Sequence, residues 1–109
     1  MIFGGLKAMW IIVLFDLPTE TKQQKRTYTQ FRKFLLEDGF VMTQYSVYTR
    51  HSSSHDNANV HIKRVKSALP AEGEVRIIKI TDKQFADIEV FYGRKAKSIE
   101  KAPEQLSFF

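Results

Sequence analysis

Asp16 is the residue of this sequence best placed to do chemistry. It follows a run of apolar and β-branched residues, Met9–Phe15, and Pro18 breaks the pattern shortly afterwards. Such a run is typical of a strand buried on both faces in the middle of a sheet. A carboxylate at the exit of a central strand is rigidly held, and sheet folds place metal ligands and general bases there. The alternative is an ordinary turn residue, because Asp and Pro both favour turns.

Mg²⁺ is a cofactor that a carboxylate at the end of a strand could hold. A single carboxylate binds Mg²⁺ poorly, because the ion takes several oxygen ligands and keeps some of its waters. A two-fold homodimer would supply a second copy of Asp16 across its axis. Ser46 and Tyr45, on a later strand, are further candidates for the same site, and plain packing in the sheet is the alternative for both.

The other chemistry-bearing residues match no common catalytic or metal-binding motif. His51 and His55 lie four apart in a polar loop without a carboxylate motif, which disfavours a zinc site, and His61 is expected on the solvated side of a helix. The chain has no cysteine, which excludes disulfides, thiolate zinc sites and thiol nucleophiles. It also has neither a P-loop nor a G-x-S-x-G motif.

The charge of the chain points to an acidic partner. Seventeen Lys and Arg against twelve Asp and Glu give a net charge of +5, and the isoelectric point is near 9.6. Rows of basic side chains hold phosphate backbones without reading bases, although a solvated helix face would look much the same. The candidate nucleic-acid-binding residues are Lys22, Lys25, Arg26, Arg32, Arg76 and Lys79.

Two amphipathic helices must position these residues. The spacing of apolar residues predicts the first helix over Thr21–Asp38, and Gly39 suits the position just past its end. A second helix is predicted over Asp56–Leu69 from one apolar stripe. The stripe consists of Ala58, Ile62, Val65 and Leu69.

Strand patterns surround the two helices. Phe40–Arg50 has apolar residues at both odd and even positions, so both faces of a single strand would carry them. Two alternatives follow: one strand covered on both faces, or two short strands meeting at a bulge near Tyr45 and Ser46. Val75–Ile80 is a further strand, and a single helical turn is predicted after it. The last predicted strand, Ile88–Tyr92, is short and apolar.

The order β-α-β(β)-α-β-β indicates an α+β fold. We predict a ferredoxin-like β-α-β-β-α-β sandwich with parallel neighbours at the centre of its sheet and an extra C-terminal strand. Residues 1–8 form a lead segment, 9–92 the domain, and 93–109 a charged linker with a short apolar end. Without cysteine, a signal peptide or a membrane-spanning run, a cytoplasmic protein is expected, with no membrane partner.

Dimerisation is expected at the edge of the sheet. The short apolar segments Ile88–Tyr92 and Leu106–Phe109 resemble exposed edges, which are usually paired or covered. Removing Gln105–Phe109 should therefore weaken association with a second copy or another partner.

Five segments along the chain together resemble a known family. They are Phe15-Asp16-Leu17-Pro18, Phe34-Leu35-Leu36-Glu37-Asp38-Gly39, Gln44-Tyr45-Ser46-Val47-Tyr48, Val75-Arg76-Ile77-Ile78-Lys79-Ile80 and Thr81-Asp82-Lys83-Gln84-Phe85. Over Met9 to about Tyr92 the chain resembles the Cas-two family, the small CRISPR-associated protein of spacer acquisition. The resemblance implies a ferredoxin-like homodimer in which Asp16 of both chains holds a divalent metal, and it places Ser46 at a second motif position.

The resemblance leaves two functions open. In the first, the protein is a metal-dependent endonuclease acting on RNA or DNA, and two Asp16 residues position Mg²⁺ to activate water and stabilise charge on the scissile phosphate. In the second, it is a non-catalytic bridge that binds a DNA duplex and the CRISPR integrase, and Asp16 is dispensable. The sequence alone favours neither of them.

Overall fold

The computed structural model describes residues 7–96 as a four-stranded sheet with two helices packed on one face. The strands are β1 (Met9–Asp16), β2 (Val41–Gln44), β3 (Val47–Ser52) and β4 (Glu74–Thr81), and the helices are α1 (Lys22–Glu37), α2 (His55–Ser67) and the short α3 (Asp82–Ala86). The strand order is β2-β3-β1-β4, so β1 lies inside the sheet. This is the ferredoxin-like α+β arrangement, and the predicted fold class is confirmed.

The prediction of parallel neighbours at the centre of the sheet is wrong. Strand β1 pairs antiparallel with both β3 and β4. Each helical crossover joins two strands that run the same way, but the strand order inserts a third strand between them. Every hydrogen-bonded neighbour is therefore antiparallel.

Strand β1 is buried on one face only, contrary to the expectation of two buried faces. Met9, Ile11, Val13 and Phe15 point to the helices and join the hydrophobic core with residues of α1 and α2. The alternate residues from Trp10 to Leu14 are only half-buried. We call the face that they share with neighbouring strands the open face, because α1 and α2 pack on the other one.

Helix α3 covers one end of the open face. Phe85 stacks on Trp10 with ring centroids 3.8 Å apart, and the Trp10 indole Nε1 donates to Asp82 Oδ1 at 2.7 Å. At the middle of the face, Ile12 lies opposite Ile78 on β4. Ile78 is 43% exposed, so this part of the face remains apolar and uncovered.

Both long helices begin at the residues that their capping patterns favour. Thr21 and Gln24 form a reciprocal capping box at the start of α1: Gln24 N donates to Thr21 Oγ1, and Thr21 N donates to Gln24 Oε1, each at 3.0 Å. Ser54 caps α2 by accepting from Asn57 N at 3.0 Å. Gly39 follows α1 at φ +93°, a left-handed conformation that suits glycine.

The segment Phe40–Arg50 divides into two strands, as the second alternative predicted. Tyr45 and Ser46 form the turn between β2 and β3, and the register shifts between Met42 and Gln44. The two strands separate at the predicted position. The connection is a tight turn instead of the predicted bulge, and the irregular pairing of β2 with β3 lies just before it.

The chain after α3 forms a separate two-stranded hairpin. Strand β5 (Phe91–Tyr92) pairs with β6 (Lys95–Ala96), and neither pairs with the main sheet. The predicted strand Ile88–Tyr92 is therefore reduced to its last two residues. The segments 1–6 and 97–109, including the expected C-terminal strand, lie outside the described residues.

Asp38 ties the two long helices together. Its carboxylate accepts from Arg64 Nη1 at 2.9 Å and lies 2.8 Å from His61 Nδ1. The side chains of Asp38 and His61 are 8% and 7% exposed, so the expectation of a solvated His61 is wrong. Burial alone would raise the pKa of the Asp38 carboxyl, but hydrogen bonds and charge from His61 and Arg64 outweigh it and hold that pKa below its ordinary value of 3.8.

Asp38→Asn should lower the free energy of unfolding by roughly 1.5–3 kcal/mol at neutral pH, the range for hydrogen bonds to a charged group. The folded-state pKa lies below the unfolded value, so the contribution is fully present above pH 3.8 and is lost as pH falls through the folded-state pKa. Urea unfolding between pH 7 and pH 2.5 measures this, with Asp87→Asn, at an exposed position, as control. Equal losses of unfolding free energy for both variants would contradict the stabilising role of Asp38. A difference between Asp38→Asn and wild type that does not change with pH would also contradict it.

The helices of this structure are not membrane spans. Within residues 7–96 the longest helix, α1, has 16 residues and carries several charges. A span needs about 20 predominantly apolar residues.

Candidate functional site

Asp16 is the last residue of β1 and is exposed. Side chains alternate along a strand, so Asp16 shares the open face with Ile12 and Leu14, and Phe15 points into the core. Phe15 is fixed by edge-on contact with Phe31 at 5.1 Å and by stacking on Tyr48 at 5.7 Å. The predicted position of Asp16, at the exit of a central strand, is therefore what the fold produces.

Gly73 holds the backbone of Asp16 from the other side. A Cβ atom at Gly73 would lie 2.7 Å from the Asp16 carbonyl oxygen and 2.7 Å from Leu17 Cδ2. Gly73 also has φ +91°, which costs other residues about 1–2 kcal/mol. Only glycine permits this approach, so the chain leading into β4 fixes the end of β1.

A second carboxylate lies beside Asp16. Glu74, the first residue of β4, is the direct cross-strand partner of Asp16, so the two side chains share the open face. Glu74 Oε2 accepts from Arg76 Nη2 at 2.7 Å, which offsets the repulsion between the two carboxylates. Glu74 could not be predicted from the sequence, since its pairing with Asp16 depends on the register of β4.

Ser46 is brought next to the end of β1. The Phe15 amide donates to the Ser46 carbonyl oxygen at 3.1 Å, and Ser46 Oγ lies 3.1 Å from the Tyr28 hydroxyl. The ring of Tyr45 stacks on that of Tyr28 at 6.3 Å. The predicted neighbours of Asp16 therefore lie at its end of the sheet, but their side chains approach α1 and not the open face.

The predicted basic residues fall into two groups. Four of them are exposed on α1, which begins close to Asp16, and these are Lys22, Lys25, Arg26 and Arg32. Arg76 is exposed at the same corner of the open face, where it pairs with Glu74. Lys79 points the other way: its Nζ lies 3.0 Å from His55 Nε2 and donates to Asn59 Oδ1 at 2.8 Å, so it binds α2.

The residues described do not build a complete metal site within one chain. Across residues 7–96, no three His, Asp or Glu side chains come together in a way that could hold an ion. His51 lies 3.8 Å from Asp82, whereas His55 contacts Lys79. A divalent ion at Asp16 would therefore find at most two carboxylates in one chain, and an oxygen-preferring ion with retained waters fits that donor set best.

Comparison with known proteins identifies the family. The family model described as CRISPR associated protein Cas2 matches residues 9–88. A protein of Parvibaculum lavamentivorans named CRISPR-associated endoribonuclease Cas2 is 52% identical over 101 residues, covering 93% of this chain and all of the relative. A protein of the same name from Flavobacterium psychrophilum is 47% identical, covering 94% and 90% of the two chains.

A solved structure agrees with the fold. A crystal structure titled as cas2 matches with a TM-score of 0.56 and 19% identity, covering 85% of this chain and 94% of the other. At that identity the likeness supports the fold alone, whereas the family model and the close relatives carry the assignment. The chain therefore belongs to the Cas2 family of CRISPR-associated proteins.

Proposed function

We propose that this protein acts in CRISPR adaptation as a homodimer that binds nucleic-acid backbone and carries a metal-dependent endonuclease site at Asp16. The observation that carries the proposal is the exposed Asp16 carboxylate at the rigid end of the central strand, on the open apolar face. Relatives named endoribonucleases, one of them 52% identical over its whole length, support a nuclease activity.

The open face supports dimerisation at a different surface from the sheet edge that the sequence suggested. Strand β1 has the continuous apolar sequence of a strand buried on both sides, yet this chain buries only one side of it. Apolar patches of this kind mark interaction surfaces. A second copy seated there would cover Ile12, Leu14 and Ile78 and would bring a second Asp16 towards the first.

The chemistry of the donors suits a shared metal site. Asp16 of each chain would hold the ion, and Glu74 is close enough in the sheet to add a further oxygen ligand. When bound, Mg²⁺ would supply a Lewis acid for the phosphate and a lowered pKa for an attacking water. The residues of the chain itself would fix Asp16, through Phe15 and Gly73, and hold the substrate backbone through the exposed basic residues of α1.

A second function, a non-catalytic scaffold for the spacer integrase, is favoured by a different observation. Exposed Lys and Arg side chains run along α1, and such a row binds a phosphate backbone without any cleavage chemistry. In that case the dimer would grip a DNA duplex and the integrase, and Asp16 would be dispensable.

One pair of experiments separates the two functions. Cleavage of RNA and of DNA is measured with Mg²⁺ and with a chelator, using wild type and Asp16→Ala, while spacer acquisition is measured in cells with the same variant. Cleavage that needs both Mg²⁺ and Asp16 supports the endonuclease. Acquisition that survives Asp16→Ala, without any Asp16-dependent cleavage, supports the scaffold.

Binding to nucleic acid should be electrostatic and centred on α1. Lys25→Glu with Arg26→Glu should weaken duplex binding by roughly tenfold or more and lower the salt dependence, since each lost phosphate contact reduces the slope of log K against log salt by about 0.9. Fluorescence anisotropy across a salt series measures both quantities.

The matched control for this pair places the same charge change elsewhere. Lys63→Glu with Lys83→Glu alters two exposed residues of α2 and α3, and it should weaken binding far less than the α1 pair. Equal losses for the two double variants would show that net charge, and not the α1 surface, determines binding.

A further inference from the structure

The turn between β2 and β3 presents an aromatic ring to solvent in an unusual backbone setting. Ser46 has φ +62°, the sole described non-glycine residue with a positive φ, a conformation that carries a cost for residues with a Cβ. Two contacts hold it there: its carbonyl accepts from the Phe15 amide, and its hydroxyl bonds with that of Tyr28. Backbone strain retained in this way is common at functional sites.

Tyr45, which precedes Ser46 in the turn, is the most exposed of the large apolar and aromatic side chains within the described range. It is 78% exposed, and one ring face lies over Tyr28, with centroids 6.3 Å apart and planes 23° apart. Tyr28 in turn makes edge-on contact with Phe15 at 5.7 Å. A continuous series of rings therefore runs from the core to the surface and holds Tyr45 in place.

The location of Tyr45 separates it from the proposed dimer interface. Tyr28 lies on α1 and contacts Phe15, which points to the helix side of the sheet. Tyr45 stacks on Tyr28 and so lies on that same side, opposite to the open face. A second copy on the open face would leave the outer face of the Tyr45 ring accessible.

We propose that Tyr45 is a base-stacking residue that takes an unpaired nucleobase of the nucleic acid whose backbone passes Asp16. This inference rests on the proposed function, since it assigns a binding subsite on the helix side of the sheet, at the same end as Asp16. Aromatic side chains stack on any base, because every base has a π-face. A base inside an intact duplex is not available for this, so the subsite selects single strands, frayed ends or displaced bases.

The surroundings of Tyr45 suit a nucleotide. The neighbouring Tyr28 hydroxyl raises the pKa of the Tyr45 phenol above its ordinary value of 10.0. A phenol is uncharged at neutral pH even at that ordinary value, so the ring carries no negative charge to repel phosphate. The exposed Lys22, Lys25 and Arg26 begin the helix that carries Tyr28. These charges can hold the phosphates on either side of a stacked base.

The test compares Tyr45→Ala with Tyr45→Phe in the Asp16→Asn background and without Mg²⁺, so that no cleavage occurs, on three probes of one length. The probes are a single strand, the same strand with abasic sites and a blunt duplex. Tyr45→Ala should weaken single-strand binding roughly tenfold, as expected for one lost base–aromatic stack, and leave the other two probes unchanged. Tyr45→Phe should bind like wild type, because it keeps the ring.

A second measurement reports stacking directly. A 2-aminopurine in the single strand should be quenched on binding by the Tyr45 protein and by Tyr45→Phe, but much less by Tyr45→Ala. Equal weakening on all three probes, or unchanged quenching in Tyr45→Ala, would overturn the proposal. A defect seen only in binding to a protein partner would also overturn it, because the ring would then serve that partner.

The outcome is independent of whether the protein is a nuclease. Binding and quenching are read without cleavage, so failure of the endonuclease proposal leaves this test intact. Unchanged thermal unfolding of Tyr45→Ala, expected for a side chain exposed to this degree, would exclude misfolding as the cause of a defect.

Discussion

Asp16→Asn should reduce Mg²⁺-dependent cleavage by roughly a hundredfold or more, since metal catalysis supplies several kcal/mol and each 1.36 kcal/mol is tenfold in rate. The substitution keeps the shape of the side chain and removes its charge. Asp16 is exposed and outside the core cluster, so folding, dimerisation and duplex binding should stay close to wild type.

Cleavage kinetics and Mg²⁺ titration calorimetry on the same preparations measure this effect. Asp87→Asn is the matched control, because it removes one exposed carboxylate at the end of α3. It should cleave like wild type. An Asp16→Asn protein that still cleaves with unchanged Mg²⁺ dependence would remove the enzyme assignment from this site. Only the scaffold function would then remain.

Local patterns predicted the elements that hold Asp16. The apolar run and the apolar spacing of α1 are properties of short segments, and the structure has β1 and α1 where these indicated. The pairing of strands depends on contacts between distant segments. The antiparallel centre and the half-covered β1 could not be derived from periodicity alone.

His61 shows how a polar residue can be misplaced by counting only apolar ones. Ala58, His61 and Val65 lie at positions i, i+3 and i+7 and are all buried. The spacing therefore contained the signal, but its partner Asp38 lies 23 residues away at the end of α1. The environment of His61 is therefore decided by a tertiary contact, which the helical spacing alone does not specify.

Some residues of the candidate site could be predicted from local sequence, whereas others depend on tertiary contacts. Asp16 and its neighbour Ser46 were found from the sequence, the first from its place after the strand and the second with help from the family motif. Glu74 and the aromatic series ending in Tyr45 depend on the register of β4 and on the turn before β3. These are properties of packing, which no single segment specifies.

Ile78→Glu should convert the proposed homodimer into a monomer. Ile78 is 43% exposed and lies opposite Ile12 in the middle of the open face, so the monomer tolerates the carboxylate. In a dimer formed over this face, the same carboxylate would be buried without a partner, which should weaken association by roughly a hundredfold or more. Sedimentation velocity at micromolar concentration measures the mass.

The cleavage rate of Ile78→Glu should fall as the dimer dissociates, because two Asp16 residues would no longer meet. Val60→Glu is the control: Val60 is 48% exposed on α2, in the helix layer, and its substitution should leave both mass and cleavage unchanged. A dimeric Ile78→Glu protein would show that the chain associates elsewhere, for example through residues 97–109. A monomeric variant with full cleavage would instead show that one Asp16 is sufficient, and that Glu74 of the same chain is the residue to substitute next.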